Sequence, residues 1–473
     1  MADPTCPRCS ALEKEVAELR AQNAQLKTRL EKSQKAKDVV LKRHDEETNE
    51  NLSETLTYSP FSRAELQRYG RQMLVKEFGV DAQLQLRSAS VLLIGVGGLG
   101  SPVAMYLAAM GVGTLAVVDG DHVDRSNLHR QILHDEQGAR EREKKVESAK
   151  RRLRELNPLV RCVVYPTRFT AANALKLVGE YDVVVDASDN VGTRYLVNDA
   201  CARGRKPLVS GSALGLEGQV TVFTYHEDDN ATGCYRCLYP TPPRVAMSCA
   251  ENGVVGVVPG VIGCLQAMET VKVITGVGEP LVGVQCFYDA YDGQFRRLKI
   301  SKKRNPDCIS CGKHTVAPGD GSIGSIDTSL LVEGNCTDGK LADELGPEFR
   351  ISAEEFKKVR NATFVTKGET AKQDYALLDT RARTQFNMVH FPEAVNIPTA
   401  QLLKHDPAQI IANLHGATAE NPTADKRTFV ICRRGVDSVE VTRWLLRGGI
   451  QNVFNINGGY TEYAREDATF PMY

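Results

Sequence analysis

Thirteen cysteines are spread over 473 residues, and several stand at spacings that do chemistry. Cys234-Tyr-Arg-Cys237 and Cys308-Ile-Ser-Cys311 are two CxxC knuckles. Four thiolates paired in this way match a closed tetrahedral zinc site of the structural kind. A third pair, Cys6 and Cys9, has no second knuckle near it and is given no role. Cys249 lies in the polar stretch RVAMSCAENG, while Cys162, Cys201, Cys264 and Cys286 sit in apolar or helical runs and are expected in the core. Cys432 ends the apolar run TFVIC and enters a tight loop, CRRGVDS, that closes on a helix start. Backbone N–H groups and the helix dipole there would favour a thiolate or persulfide and lower the thiol pKa. A phosphatase nucleophile needs an arginine six residues on, and that position is Ser438.

A second kind of chemistry is written in glycine and charge. VLLIGVGGLGSP (91–102) reads as a strand, a glycine turn (Gly95, Gly97, Gly98, Gly100) and a helix start, which suits a phosphate at a helix N-terminus. Asp119 ends the next strand, where an acid can bind ribose hydroxyls. Asp121, Asn127, Arg130 and Gln131 follow, then Lys145 at a helix start, then Asp189 and Asn190 after another strand. A triphosphate needs cations and a bound magnesium needs a carboxylate, whereas a dinucleotide cofactor needs neither at this density. GxxxxGK[ST] is absent, so a Walker-type ATPase is excluded.

The elements that must position these residues are α/β. Short apolar runs at 91–97, 114–120 and 181–187 read as strands, with helical stretches between them that include the charged 140–156. That alternation predicts a mostly parallel, Rossmann-like sheet over 58–314. Gly/Ser-rich residues open a linker at 315–347, and a second α/β pattern fills 348–473, with strands near 375–379 and 428–432 and a helix near Ser438. Residues 1–57 form a helical segment. Within it Leu12, Val16, Leu19, Asn23, Leu26 and Leu30 follow a heptad that predicts a short two-stranded coiled coil.

Lys+Arg and Asp+Glu balance at 59 each, which gives no sign of a direct nucleic-acid ligand. No apolar h-region follows the N-terminus, and the uncharged stretch 252–268 is broken by glycines and Pro259, so it reads as buried core and loop and not as a membrane span. With no secretory signal, the cysteines read as reduced thiols and ligands, and the expected location is the cytosol.

GxGGLG, DxDxVxxSNLxRQ, KVESA and the DASDN turn resemble the adenylating domain of ubiquitin-activating enzymes and of their bacterial relatives that activate sulfur carriers. RYGRQ (68–72) resembles the short helix ahead of that fold. The resemblance implies attack on ATP by a C-terminal Gly-Gly carboxylate with release of pyrophosphate. It assigns nucleotide binding to Gly98, Asp119, Ser126, Asn127, Leu128, His129, Arg130, Lys145, Asp189 and Asn190. Lys145 and Arg130 would hold phosphates and Asp189 magnesium. Arg71 would reach the triphosphate from the partner in a homodimer, and Cys249 would accept the activated carboxyl as a thioester. Zinc on Cys234, Cys237, Cys308 and Cys311 also fits this family.

The C-terminal runs 375–398 and 428–446 resemble a single rhodanese domain, which makes Cys432 the persulfide cysteine. The whole arrangement over 58–473 is similar to the eukaryotic molybdopterin synthase sulfurylases, which activate a ubiquitin-related modifier. That implies a C-terminal thiocarboxylate on a ubiquitin-like sulfur carrier, serving tRNA wobble-uridine thiolation and molybdenum cofactor synthesis. The sulfur would come from a protein persulfide donor, such as a cysteine desulfurase or another sulfurtransferase. The competing reading is an activating enzyme for conjugation alone, with the rhodanese module as a docking site. A nicotinamide oxidoreductase and a non-catalytic zinc scaffold are further alternatives.

Overall fold

The computed structural model describes residues 59–227, 230–242, 253–312, 345–365, 375–416 and 426–471. The heptad segment within 1–57, Cys6, Cys9, Cys249 and all but the last three residues of the 315–347 linker lie outside the described residues.

Two compact units are present, each built on its own sheet. The first opens with helix α1 (Arg63–Met73), started by a capping box in which Ser62 and Glu65 exchange hydrogen bonds. Then follow α2 (Gly79–Ser88), β1 (Ser90–Ile94), α3 (Gly100–Met110), β2 (Thr114–Val118), α4 (Glu136–Glu141), α5 (Lys145–Leu156) and β3 (Arg161–Tyr165). Next come α6 (Ala174–Gly179), β4 (Val183–Asp186), α7 (Val191–Gly204, which belongs to this unit from Val197 on), β5 (Leu208–Leu214), β6 (Glu217–Phe223) and the small pair β7 (His226–Glu227) and β8 (Asn230–Ala231). The unit closes with α8 (Tyr235–Leu238), α9 (Val257–Thr275), β9 (Val284–Asp289) and β10 (Gln294–Lys299).

Its sheet runs β10-β9-β6-β5-β4-β1-β2-β3. β3, β2, β1, β4 and β5 are parallel, and β6, β9 and β10 continue antiparallel. β1, β2 and β4 are apolar almost throughout because helices cover both faces of a parallel sheet. Strand order reverses between β1 and β4, and that switch point leaves a crevice at the carboxyl ends of the two strands.

Two sequence expectations fail here for local reasons. The expected helix over 140–156 is two helices. Arg142 caps α4 in the left-handed region (φ 51°), and α5 starts three residues later. Between them Val123 N–H donates to Glu143 O, so the chain is turned to pair with the loop after β2.

The stretch read as core and loop at 252–268 is helical from Val257 onward. Pro259 falls in the first turn, where its missing N–H costs nothing, and Gly263 lies where a Cβ would collide with Leu99 O and Pro102 of α3. The residues taken for helix breakers thus make a close helix contact. α9 is long and apolar enough to cross a membrane, yet half of it is buried and it packs on α3, β5 and β6. Cys264 stands exposed on this helix and not in the core; Cys201 is fully buried.

The second unit contains β11 (Arg350–Ile351), α10 (Ala353–Val365), β12 (Tyr375–Asp379), α11 (Arg383–Met388), β13 (Ala394–Asn396), α12 (Thr399–Leu402) and α13 (Pro407–His415). β14 (Arg427–Ile431), α14 (Asp437–Arg447), β15 (Val453–Ile456) and α15 (Gly459–Glu466) complete it. All pairs in the order β11-β15-β14-β12-β13 are parallel. Alternation splits the core: Tyr375, Leu377, Phe429 and Ile431 meet Phe356, Phe391 and Tyr463, while Leu378 and Val430 meet Ile410, Val441 and Leu445.

α1, which carries Arg71, is fastened through Gln72 to the buried Gln83 and through Tyr69 to the buried Asn157. Asn157 Nδ2 donates to Tyr69 Oη (2.8 Å) and to Ala108 O (2.7 Å), so it joins α1, α3 and the end of α5. Asn157→Ala takes the donor from the buried Tyr69 hydroxyl, while Ala108 O keeps its bond from Gly111 N–H, and the expected loss is about 1–2 kcal/mol. Urea unfolding of this unit, followed apart from that of the Cys432 unit, checks the figure.

Candidate active site

The glycine turn is gripped on three sides. Val96 N–H donates to Asp119 Oδ2 (3.0 Å), and Val96 O accepts from His134 Nε2 (3.0 Å). The turn also lies on the end of β4, where a Cβ on Gly95 would come within 2.9 Å of Ala187 O. A Cβ on Gly100 would run into Gly95 O, so only glycine lets α3 start this close to the turn. Asp119 Oδ1 accepts from Asp121 N–H (2.9 Å); each carboxylate oxygen keeps a lone pair for a hydroxyl.

Of the residues named from sequence, Asp119, Arg130 and Gln131 reach this turn directly. The Arg130 stem packs against Gly98, whose Cβ would lie 3.4 Å from Arg130 Cγ and 3.3 Å from Pro259 of α9. Ser126 and Asn127 form a short 3-10 turn, with Leu128 as its C-cap and Asp124 capping its start. The Arg130 guanidinium donates to Asn127 Oδ1 and to His129 Nε2, both at 2.6 Å. Leu128 is half-buried, and Ser126 and His129 are exposed.

Lys145 is only 6 % exposed, yet it begins α5, where the helix dipole repels a cation. Asp121 Oδ2 partly offsets this at 3.2 Å.

Asp189 stands exposed at the end of the turn that follows β4. That turn is shaped by Asp186, fully buried, whose Oδ1 accepts from Ser188 N–H (3.0 Å) and Ser188 Oγ (2.6 Å). Asn190 Oδ1 accepts from Thr193 N–H (2.9 Å) and so caps α7. Arg71 lies exposed in the last turn of α1.

His134 was not legible in the sequence. Buried between Val96 O and Ser148 Oγ of α5, it ties the glycine turn to the helix that carries Lys145. Burial holds its pKa below the ordinary imidazole value, so it stays neutral, with Nε2–H as the donor to Val96 O.

The two knuckles come together. Their four Sγ atoms lie within 4.8 Å of one another, with Cys234 to Cys308 at 3.6 Å and Cys237 to Cys311 at 3.4 Å. Tetrahedral zinc–thiolate bonds require S···S edges of about 3.8 Å, so the donor set fits. Hydrogen bonding from Cys234 pulls the Cys308 thiol down to about 6, while the same cluster drives Cys234 upward; four such groups ionise together only around a cation.

In the second unit Cys432 leaves β14 and is 1 % exposed. Gly435 N–H (3.1 Å) and Ser438 Oγ (3.2 Å) donate to its Sγ. The loop carbonyls are turned the other way: Cys432 O accepts from Tyr460 N–H, and Arg433 O from Thr461 N–H and Oγ1. This needs α15 to arrive very close, which Gly459 permits with φ 57° and no Cβ to strike Cys432 O. Behind it Arg381, fully buried, forms a bidentate pair with Asp379 and stacks on the Tyr460 ring at 3.8 Å.

The expected depression of the Cys432 pKa is not found. Burial pushes the thiol up, and the Asp437 carboxylate adds to the rise; Ser438 and Gly435 pull the other way without winning. The loop donors are present as expected, but desolvation of the anion outweighs them. Ser438, noted in the sequence only for not being arginine, is one of those donors.

Comparison with known proteins now bears on these two sites. The ThiF family matches residues 69–310, and the Rhodanese-like domain matches 364–466. Adenylyltransferase and sulfurtransferase MOCS3 of Drosophila virilis is 38% identical over 475 residues, 98% of this chain and 99% of that one. The chain belongs to the MOCS3 family. The Sus scrofa MOCS3 is 39% identical, with 98% of each chain covered, and MOCS3-1 of Zea mays is 41% identical over 86% of this chain and 83% of its own. Among solved structures, E. coli MccB with ATP aligns at a TM-score of 0.44 and 24% identity, covering 52% of this chain and 74% of that one. Membership in the MOCS3 family makes this chain an enzyme of adenylyl transfer and sulfur transfer, with a ThiF part that uses ATP on a protein substrate.

Alkylation of Cys432 by iodoacetamide, followed by peptide mass spectrometry, should keep rising with pH through the range where an ordinary thiol has levelled off, because burial holds this thiol above the usual cysteine range. Asp437→Asn removes a charge that disfavours the thiolate, so its curve should lie at lower pH. A wild-type plateau below pH 8 would show that the loop donors, not burial, set the thiol.

Proposed function

We propose that this MOCS3-family chain adenylates the C-terminal glycine of a ubiquitin-like sulfur carrier and then delivers sulfur to it as a thiocarboxylate. What carries the reading is the presence, in one chain, of an anion-ready glycine turn and an intact donor-lined cysteine loop. Arg130 and Lys145 bind the triphosphate, Asp119 the ribose, and Gly98, Ser126, Asn127, Leu128, His129 and Asn190 line the nucleotide. Asp189 holds magnesium, which supplies charge neutralisation on the phosphates. Zinc in the four-cysteine cluster is structural and coupled to folding.

The carrier carboxylate attacks the α-phosphorus of ATP and pyrophosphate leaves. Cys249 takes the activated carboxyl as a thioester, releasing AMP. The terminal sulfur of the Cys432 persulfide then attacks the same carbonyl and displaces the Cys249 thiol. This leaves the acyl group on sulfur joined to Cys432, and a reducing thiol supplies the two electrons that release the thiocarboxylate. The sulfur donor is a protein persulfide such as a cysteine desulfurase or another sulfurtransferase, since Asp437 beside Cys432 repels a small dianion such as thiosulfate. The product serves tRNA wobble-uridine thiolation and molybdenum cofactor synthesis in the cytosol. A conjugation-only enzyme would have no use for two donors aimed at Cys432 Sγ.

Cys432→Ala should keep carrier-dependent pyrophosphate exchange within about twofold of wild type while thiocarboxylate on the carrier, read by intact mass, disappears. Loss of both in a folded protein would overturn the separation of the two reactions.

Arg71 acts from the partner subunit of a homodimer. Arg71→Ala and Asp189→Ala should each be nearly inactive. After mixing and subunit exchange, half of the dimers are mixed, and each has one complete site, so activity recovers to about a quarter of wild type. Verified exchange without recovery would place Arg71 in its own chain's site.

A further inference from the structure

Helix α7 begins directly after Asp189 and Asn190 and ends under the cysteine knuckles. Its residues Asn198 and Asp199 are 0 % and 4 % exposed, and neither belongs to the zinc donors or to the nucleotide residues. Asp199 binds Arg236 in a bidentate pair, Nε to Oδ1 at 2.7 Å and an amino nitrogen to Oδ2 at 2.8 Å. Its Oδ1 also accepts from Ser310 Oγ (2.7 Å) and Asn198 Nδ2 (3.1 Å). Asn198 Oδ1 in turn accepts from Tyr235 N–H (2.6 Å), and Asn198 Nδ2 reaches Ser310 Oγ (3.3 Å).

The position of these partners decides what the network does. Tyr235 and Arg236 lie between the two thiols of the first knuckle, and Ser310 lies between those of the second. The arrangement that brings four sulfurs together is therefore the one that fills the hydrogen bonds of α7. If the knuckles part, as four thiolates without a cation would, Asp199 is left buried beside a displaced arginine, and a buried carboxylate without its partner is strongly unfavourable. Asp199 stands eight residues, about 12 Å of α-helix, beyond Val191, the first helical residue after Asp189 and Asn190, so a shift at the knuckle end has a short helical path to the other.

We infer that Asp199 is a positioning residue that couples the four-thiolate cluster to the nucleotide site through α7, so that metal in the cluster and magnesium nucleotide at Asp189 strengthen each other's binding. This rests on the nucleotide reading of Asp189 given above. Coupling of two sites is reciprocal, so each ligand raises the affinity for the other by one and the same factor.

The test uses the full-length, zinc-loaded protein. Zinc affinity is measured by competition with a chelating indicator, with and without saturating magnesium-ATP, whose own binding is followed by equilibrium dialysis. Wild type should hold zinc about fivefold or more tightly when magnesium-ATP is bound. Asp199→Asn, nearly equal in shape but without the charge, should still take one zinc per chain, and the nucleotide effect should fall below about twofold. Ser310→Ala, which removes the bonds to Asp199 Oδ1 and from Asn198 Nδ2 and leaves no unpaired charge, should give an intermediate value and serves if Asp199→Asn does not fold. Bound magnesium-ATP that leaves wild-type zinc affinity unchanged would overturn the coupling alone. An equal effect in wild type and both variants would overturn the role of Asp199. Magnesium-ATP that does not bind would sink the adenylation reading along with it.

Discussion

Parallel strands cannot be joined by a hairpin; each must be followed by a crossover, and the crossover helix starts near the carboxyl end of the strand just completed. That constraint decides where reactive groups stand in this chain. The glycine turn follows β1, Asp119 follows β2, Asp189 follows β4, and Cys432 follows β14. After β1, β4 and β14 the backbone soon changes from a ladder, where its N–H groups are used, to a helix start, where several are not. A phosphate and a persulfide sulfur are both anions seeking such donors, so in the proposed function two unrelated reactions would use the same kind of place in two sheets.

Rigidity at these points comes from groups that never touch a substrate. His134 fixes the glycine turn to α5, Asp186 shapes the turn that precedes Asp189, and Asn157 fastens α1 to the end of α3. In the second sheet the pair Asp379–Arg381 supports Tyr460, whose N–H holds the Cys432 carbonyl. Donors fixed before the ligand arrives need no reorganisation when charge develops, which is where electrostatic catalysis gains most. The same groups make the sites intolerant of small displacements.

The strands, the glycine turn, the knuckles and the Cys432 loop were legible because each rests on a local pattern: an apolar run, a glycine demanded by a close approach, or a fixed spacing of thiols. What escaped depended on contacts between distant segments. Nothing around His134 marks it as a clamp, since its partners are 38 residues before it and 14 after it. The break at Arg142 is a left-handed residue in a run of good helix formers, imposed by pairing with the loop after β2. Gly263 reads as a breaker until the helix it touches is known. The Cys432 thiol shows the same limit in its electrostatics. Sequence displays the donors that lower a pKa, but only the packed structure displays the desolvation that raises it.

Burial of Cys432 also has a consequence for damage. Peroxide attacks thiolates that are exposed, and it drives them up an oxidation ladder whose later rungs are irreversible. A thiol that is 1 % exposed and held protonated offers such an oxidant little to react with. In the sulfur-transfer role proposed above, the same enclosure would hide the sulfur from its donor, so each loading event would wait for the loop to open locally. Protection between turnovers and speed of loading are therefore set against each other by one short stretch of chain, from Cys432 to Ser438.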